Sequence, residues 1–453
     1  MPWQCLIISS HHDFLTYPVN KAKDFFDSCE FHKIEPTVDK LNELASLGDV
    51  FVFEPTGSYS LLWHDNLLRL GKEVRLISHN KISSYRDLCG WSYKDDEHDA
   101  VVCAYYGWLN LDNLSAFNRV RRPLVRAVYL RFLEKERIAR DIRIVTNRGW
   151  NLMHREFPEG MKKSDNHSCE KLAAIWPFIA GEKLTNRTRS QYERKLSNSI
   201  GTAARLGFSS ELISYAKRVC NLHNARLSIK REFDAFLARD EYAWIKPVFD
   251  EFGFSTFERT IFLCQFDPFG QFFNEQGKEL RIELKRKRGA SGKHVTRRVG
   301  LNKFHSVMGK AIYPWSSGNK EGHIVSGSQL ARNHWYLWVK RQMGLNYSRV
   351  GNSLIESFKR DYERDLGVSL GALEQLIALS DEQLADGIKK IEHSAIASAL
   401  LPLIEMAQKA KKSPAAYLKA QGKTRLRMWA KSRVADRAVK ILFKKLTVAY
   451  KER

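Results

Sequence analysis

Apolar and polar positions in the first hundred residues alternate between strand-like and helix-like periods. Short apolar runs at residues 3–8, 50–53 and 73–77 are typical of buried strands. Between them, the apolar spacing at residues 34–47 and 60–70 is helical. Strands that alternate with helices predict an α/β domain, in which helices pack on a sheet.

The pattern then becomes long, charged and helical. Apolar residues recur at three- and four-residue spacing from residue 124 to 155 and again from 190 to 239, with a polar stretch at 161–170 between them. Such segments predict an exposed helical hairpin or coiled coil, which commonly dimerises or grips a partner.

The C-terminal half combines basic stretches with helical patterns. A basic stretch covers residues 285–293, and the chain after residue 345 is helical again, with an apolar run at 396–406. Residues 423–433 have the pattern of a basic amphipathic helix.

These changes of pattern predict five parts and a fold class of α/β plus mainly α. They are an α/β domain at 1–115, a helical coiled-coil arm at 116–241, a mostly helical domain at 242–343, a helical insertion at 344–422 and a basic closing helix at 423–453.

Composition adds a partner and a compartment. The 453 residues suffice for two or three domains, and 74 Lys and Arg against 51 Asp and Glu give a formal charge of +23. Such an excess favours a polyanion, and nucleic acid is the expected partner. No apolar run approaches the roughly 18 residues of a membrane span, and the first residues lack a signal-peptide pattern. We therefore expect no membrane partner and a cytoplasmic protein.

The seven cysteines are scattered and never form a C-x-x-C pair. We interpret them as reduced core residues. A zinc site assembled from distant ligands, such as Cys169 with His167, remains the alternative.

Carboxylates follow a strand and begin a helix in the first domain. Glu54 comes directly after the strand at 50–53, and strand ends are where open α/β sheets place active residues. Asp96 and Asp99 stand three positions apart, so a helix presents both on one face. Mg²⁺ relieves the repulsion between such carboxylates and can activate a phosphodiester. We expect either a magnesium site at these three residues or acidic side chains that only complement a helix dipole, the latter being our interpretation of Asp95 and Glu97.

Clustered cations in the C-terminal half are candidate nucleic-acid contacts, since such groups position a phosphate backbone. The candidates are Lys285, Arg286, Lys287, Arg288, Lys293, Arg297, Arg298, Arg332, Arg425, Arg427, Lys431 and Arg433. Nearby aromatic residues would either stack on unpaired bases or belong to the core; they are Trp335, Tyr336, Trp338 and Trp429.

Several blocks together resemble the DEDD transposases of insertion-sequence 110 type, a family related to pilin-gene invertases. The N-terminal blocks are Glu54-Pro55-Thr56-Gly57-Ser58-Tyr59 and Lys94-Asp95-Asp96-Glu97-His98-Asp99-Ala100. The C-terminal blocks are Phe304-His305-Ser306-Val307-Met308-Gly309, Pro314-Trp315-Ser316-Ser317-Gly318 and a stretch from Ile324 to Arg332 that resembles a family helix. Residues 130–155 resemble the family's helical linker, and 433–450 its closing helix.

The resemblance implies a RuvC-like domain of RNase H fold at 1–115 and a serine-bearing transposase domain at 242–343. It implies site-specific DNA recombination with Mg²⁺ at Glu54, Asp96 and Asp99, and a nucleophilic serine from the other domain. By position, that serine is Ser317, with Ser316 as the alternative. The implied partners are DNA, a noncoding bridge-type guide RNA and further copies of the chain in a homodimer or homotetramer, in association with a bacterial nucleoid.

The chain departs from the family at the first DEDD aspartate, where Ser9 stands. A hydroxyl is a poor substitute for a carboxylate on Mg²⁺. Either Asp13 or another group completes the metal site, or the chain is a catalytically impaired descendant that binds RNA or DNA. A metal-dependent nuclease without a serine intermediate is the third alternative.

Overall fold

The structure is a computed structural model in which the chain forms two compact units, Met1–Pro123 and Leu124–Arg453. It describes residues 5–8, 26–27, 31–55, 58–91, 95–113, 116–118, 121–161, 172–285, 294–317, 320–343, 351–379, 383–384, 387, 396–409 and 413–453. The first unit ends close to the predicted boundary at residue 115. The second contains the other four predicted parts, whose separation into domains stays a prediction.

The first unit combines short strands with helices, which confirms the α/β prediction for this part of the chain. Its described strands are β1 (Cys5–Ile8), β2 (Phe31–Ile34), β3 (Val50–Phe53) and β4 (Glu73–Leu76). Its described helices are α1 (Val38–Ser46), α2 (Ser58–Arg69), α3 (His79–Leu88) and α4 (Asp96–Leu109).

Strand pairing in this unit takes two forms. β1 and β2 are antiparallel, whereas β3 and β4 are parallel and are connected through α2. Helix α4 packs against both β1 and β3. Apolar side chains of α2 and β4, including Leu67 and Val74, are buried together in one core. The parallel pair places the residue that follows β3 at the carboxyl edge of the strands.

The predicted helix at residues 34–47 was partly wrong. Ile34 ends β2, and α1 begins only at Val38. Thr37 caps α1, because its hydroxyl accepts a hydrogen bond from the Lys40 N–H. The apolar spacing alone did not reveal this cap, which separates the strand from the helix.

Two long helices begin the second unit, α5 (Pro123–Glu156) and α9 (Ser210–Leu237). Phe132 of α5 stacks on Phe233 of α9, while the Glu156 carboxylate accepts hydrogen bonds from the N–H and hydroxyl of Ser209. The first half of α5 therefore lies beside the end of α9, and the end of α5 lies beside the start of α9, so the two helices are antiparallel.

Between α5 and α9 lie the shorter helices α6 (Ile175–Ala180), α7 (Asn186–Ser197) and α8 (Ala203–Leu206). The helical pattern predicted from residue 190 to 239 is confirmed for most of this range, but it is interrupted at residues 198–202, between α7 and α8. Trp176 of α6 and Leu212 of α9 have no exposed surface and belong to a core at this end of the hairpin.

The remaining part of the second unit is mostly helical. Its described helices are α10 (Lys246–Glu251), α11 (Thr256–Phe266), α12 (Val299–Val307), α13 (Gln329–Met343), α14 (Ser353–Ile377), α15 (Ala397–Lys409) and α16 (Pro414–Lys451). Two antiparallel hairpins accompany them, β5 (Arg281–Lys285) with β6 (His294–Arg298) and β7 (Ala311–Ser317) with β8 (Lys320–Ser326). The predicted helical character of 344–422 is confirmed for the described residues.

Helix α16 packs against α12, α13, α14 and α15 of the second unit. Its Val434, Ala438 and Leu442 side chains are fully buried in the same core as Phe132 and Trp335. The predicted boundary between residues 422 and 423 falls inside this helix, which begins at Pro414. None of the described helices is both long and apolar enough to cross a lipid bilayer.

Candidate functional site

The acidic residues predicted as metal ligands lie on two neighbouring elements of the first unit. Glu54 directly follows β3, at the carboxyl end of the parallel pair. Asp96 and Asp99 occupy the first turn of α4, which packs against β3. Asp95 caps this helix by accepting a hydrogen bond from the His98 N–H at 2.8 Å. Burial opposes this effect, but the hydrogen bonds from His98 lower the pKa of Asp95 overall, as expected of a capping residue.

Glu54 and Asp99 both act on one buried thiol, that of Cys103. Cys103 is 5% exposed, and burial raises the pKa of its thiol; the charges of Asp99 and Glu54 raise it further. Both carboxylates therefore lie close enough to Cys103 to act on it electrostatically. Asp96, one turn earlier on α4, is exposed.

Helix α3 supplies a nitrogen-bearing side chain to each of these two carboxylates. The His79 Nδ1 contacts the Glu54 carboxylate, and the Arg86 Nε lies 3.2 Å from the Asp99 Oδ1. The His79 side chain is 62% exposed, whereas that of Arg86 is 10% exposed. Neither residue was predicted from the sequence, because no spacing motif connects them to Glu54 or Asp99.

The carboxylates present suit a hard cation in their chemistry, since Mg²⁺ prefers oxygen ligands. Within the described ranges, no three His, Cys, Asp or Glu side chains are grouped closely enough to hold a metal ion. Ser9 and the candidate ligand Asp13 lie outside the described residues. Cys169 and His167, the alternative zinc ligands, also lie outside them.

The candidate nucleophile is placed on a β-hairpin of the second unit. Ser316 pairs with Glu321 and Ser317 pairs with Lys320, so both serines lie at the end of the hairpin farthest from its first pair, Ala311 and Ser326. Ile324, which was predicted to begin a helix, lies in β8 instead, and α13 begins at Gln329. The correction follows from antiparallel pairing, which continues through β8 to Ser326.

The base of this hairpin is held by two glycines and an arginine. Gly309 and Gly327 both adopt positive φ angles, 73° and 94°. A Cβ on Gly327 would lie 1.9 Å from the Ser306 carbonyl oxygen, so only glycine fits there. The Arg332 Nε donates to the Gly309 carbonyl at 2.9 Å, and its two terminal nitrogens donate to Gln329 and to the Val325 carbonyl. The structure thus gives Arg332 contacts inside the protein, and nucleic-acid contact by Arg332 stays a prediction.

A buried ion pair that was not predicted from the sequence lies directly before this hairpin, at Lys310. The Lys310 ammonium is 7% exposed and binds the Asp436 carboxylate at 3.0 Å and the Ser432 hydroxyl at 2.9 Å, both on α16. Burial lowers the pKa of the neighbouring His305. The His305 Nε2 is buried and has no hydrogen-bond partner among the described residues. His305 stood within a resembling sequence block, but nothing in the sequence paired it with Lys310 or Asp436.

The described residues of the first basic set lie on the other hairpin, β5 and β6. Lys285 ends β5, while Arg286, Lys287, Arg288 and Lys293 lie outside the described residues. Arg297 and Arg298 are exposed on β6, and Arg298 forms a bidentate ion pair with Glu279. Arg297 is therefore the described cation here that most readily faces a phosphate backbone.

The second basic set lies along α16. Arg425 and Arg427 are exposed, and the Lys431 ammonium lies 5.8 Å from the centre of the Tyr336 ring. Arg433 binds Asp365 of α14 at 3.2 Å and lies over the Trp429 ring.

Base stacking by Trp335 and Trp338 is excluded by their burial. Both side chains are 0% exposed, and the Trp338 Nε1 donates to the Phe252 carbonyl at 2.7 Å. The alternative, that these residues belong to the core, is confirmed. Tyr336, on the same helix, is 43% exposed. Trp335 and Trp338 stand three positions apart and so share the buried face of α13.

Comparison with known proteins assigns the chain to no group: no protein-family model matches it, and no curated protein matches it.

Proposed function

We propose that the chain is a site-specific DNA recombinase that cuts and rejoins DNA through a serine nucleophile and a magnesium-dependent acidic site. The observation that carries the proposal is the position of Glu54 at the carboxyl edge of a parallel strand pair, with Asp99 on helix α4, which packs against the same strand. Strand edges of this kind commonly bear active residues.

An RNase H-like fold for the first unit is part of this proposal. An antiparallel pair, β1 and β2, is followed by a parallel pair, β3 and β4, and α4 packs against one strand of each. This element order supports the RuvC-like assignment. We propose that Glu54 and Asp99 would hold Mg²⁺ with Asp13 as an additional ligand, and that Asp96 would join them only when the metal binds, because the described carboxylates are not grouped as a metal site without it.

Binding of Mg²⁺ at Glu54 would require His79 to leave this carboxylate, and the exposure of His79 suits that exchange. A cation that binds the Glu54 carboxylate would displace a side chain that is 62% exposed and returns readily to water. Arg86 is buried and keeps Asp99 oriented on α4. When bound, Mg²⁺ would polarise the scissile phosphodiester and stabilise the leaving oxygen.

Ser317 is the proposed nucleophile. Its Oγ forms a bond to phosphorus while a DNA hydroxyl leaves, so the phosphodiester energy is kept in a phosphoserine link and the strand can be rejoined. The pairing of Ser317 with Lys320 holds this residue at the end of a hairpin, and Arg332 with the two glycines anchors the opposite end. Arg297, Arg425 and Arg427 are proposed to position the nucleic-acid backbone, and a noncoding RNA is proposed to select the target.

A second function is favoured by a different observation. The Glu54 carboxylate already contacts His79, the Asp99 carboxylate lies 3.2 Å from Arg86, and Ser9 stands at the position of the first family aspartate. These features suit a descendant that binds nucleic acid without cutting it.

The test uses the full chain, expressed together with the DNA that flanks its gene. After denaturing purification and nuclease digestion, mass spectrometry should find a nucleotide attached to Ser317. Ser317→Ala and Glu54→Gln should remove this adduct, while Ser316→Ala, the matched control, should retain it.

Three other outcomes contradict the proposal. An adduct that survives Ser317→Ala but not Ser316→Ala moves the nucleophile to Ser316. Strand cleavage without any adduct indicates a nuclease. Copurifying nucleic acid with neither cleavage nor adduct indicates the non-catalytic binder.

A further inference from the structure

A basic, exposed cap closes the far end of the hairpin formed by α5 and α9. It consists of α7, α8 and the loop between them. From Phe132 in the main core to Glu156 at the end of α5, a helix rises about 36 Å. The cap therefore lies at the end of α5 that is remote from Phe132 and the main core.

Helix α7 docks on this end through one face and presents cations on the other. Tyr192 stacks on Phe178, with ring centres 5.2 Å apart, and Leu196 packs against the same core. No residue of α7 is fully buried. Arg187 and Arg194 are exposed and seven positions apart, so they share the opposite face of the helix, about 10 Å from each other along its axis.

The loop after α7 is fixed in place while its apolar side chain faces water. The Glu159 carboxylate accepts hydrogen bonds from the Ser199 hydroxyl and, at 3.2 Å, from the Ile200 N–H. A Cβ on Gly201 would lie 2.2 Å from the Glu156 carbonyl oxygen, so the loop backbone presses against the end of α5. Yet the Ile200 side chain is 87% exposed, and Leu206 at the end of α8 is 85% exposed.

An exposed isoleucine on a fixed loop, directly after a helix that bears exposed arginines, suits a partner with both apolar and anionic surfaces. Residues 182–208 contain six Lys and Arg against two Glu. This excess disfavours a second copy of the same cap, because like charges would face each other. A DNA duplex provides phosphates for the arginines and base steps into which an apolar wedge can insert from the minor groove.

We infer that the cap is a duplex DNA-binding surface, with Arg187 and Arg194 on the phosphate backbone and Ile200 as a wedge at a base step. The inference rests on the proposed function only in taking DNA as the partner, and it involves neither Ser317 nor the acidic site.

The test measures binding of the full chain to a fluorescein-labelled, mixed-sequence DNA duplex by anisotropy across a KCl titration. Because each lost phosphate contact lowers the salt slope by about 0.9, Arg187→Gln with Arg194→Gln should lower it by about 2 and weaken binding by about tenfold at moderate salt. The matched control is Arg360→Gln with Lys451→Gln, which removes the same charge from exposed positions outside the cap.

The wedge has its own readout. Ile200→Ser should weaken binding without changing the salt slope, and it should abolish the fluorescence increase of 2-aminopurine in a duplex that carries this base at successive positions. Val368→Ser is the control, since Val368 is 64% exposed on α14. All four variants alter exposed side chains and should keep the circular dichroism spectrum of the parent.

The inference is overturned if the double arginine variant matches its control in affinity and slope. It is equally overturned if Ile200→Ser dissociates an oligomer in sedimentation while DNA affinity stays unchanged, which would make the cap a protein interface. Either result leaves the Ser317 adduct unaffected and so is distinct from failure of the proposed function.

Discussion

The Arg332 guanidinium donates a hydrogen bond to the carbonyl oxygen of Gly309, with its Nε 2.9 Å from that oxygen. This hydrogen bond joins the first turn of α13 to Gly309, two residues before β7 begins. Gly309 has a positive φ angle, and a Cβ at this position would lie 2.2 Å from the Ser328 carbonyl oxygen. Only glycine therefore fits there. One arginine thus ties together the segments that begin and end the serine-bearing hairpin.

Replacing Arg332 should loosen the base of this hairpin. Arg332→Met keeps much of the aliphatic stem but leaves the Gly309 carbonyl without its donor, and we expect the free energy of unfolding to fall by about 1–3 kcal/mol. Urea unfolding followed by circular dichroism measures the change. Lys340→Met, on an exposed position of the same helix, should change stability by much less; equal losses would show that Arg332 has no special structural role.

Gly327→Ala should be more damaging than an ordinary loop substitution. The φ angle of 94° disfavours any L side chain, and the new Cβ would lie 1.9 Å from the backbone oxygen of Ser306. We expect a loss of at least about 2 kcal/mol, measured by the midpoint of thermal or urea unfolding. Gly351→Ala is the control, because a Cβ there meets no atom within 4 Å; if both variants unfold alike, the proposed clash is absent.

Glu136 should make stability depend on acidic pH. Burial raises the pKa of its carboxyl, but His334 and the charge of Lys135 outweigh burial and hold the pKa at about 2. A carboxyl with a lowered folded-state pKa stabilises the fold above its unfolded value near 4.5, and that contribution is lost as the pH falls toward about 2.

The loss of stability between about pH 5 and pH 2 should therefore be smaller in Glu136→Gln than in the parent. Urea midpoints across this range provide the measurement. Glu374→Gln, at an exposed position, should follow the parent curve. An unchanged pH profile in Glu136→Gln would contradict the assigned interaction with His334 and Lys135.

The Lys310 and Asp436 pair should show coupling. Asp436→Ala leaves the buried ammonium of Lys310 with Ser432 alone, and we expect a loss of about 2 kcal/mol. Adding Lys310→Met removes the buried charge, so the double variant should be more stable than Asp436→Ala. A double-mutant cycle by urea unfolding measures this coupling, and strictly additive losses would argue against the pair.

Local pattern predicted much of the secondary structure. The runs at residues 50–53 and 73–77 became β3 and β4, and the acidic start of α4 was predicted from Asp96 and Asp99. Errors arose where the pattern was ambiguous. Residues 34–37 continue an apolar spacing but belong to a strand and a cap, and Ile324 pairs in a hairpin instead of beginning a helix.

The candidate site was predicted only in part. Glu54 and Asp99 were named from the sequence because they follow a strand and begin a helix, and the structure places both beside Cys103. Their partners His79 and Arg86 were not predicted, because they lie on a different helix and no local sequence motif connects them with these carboxylates. The Ile200 loop was missed for the same reason, because Glu159, which holds it, is far away along the chain.

The sequence by itself determined the properties that depend on neighbours along the chain: helical and strand periods, the strongly positive charge, and the acidic helix start. Tertiary structure alone decided which side chains meet, such as Arg332 with Gly309, and which aromatic residues are withdrawn from water, such as Trp335 and Trp338. The physical reason is that periodicity arises from backbone geometry within a few residues. Burial and long-range hydrogen bonds instead depend on how distant segments pack once the chain has closed its loops.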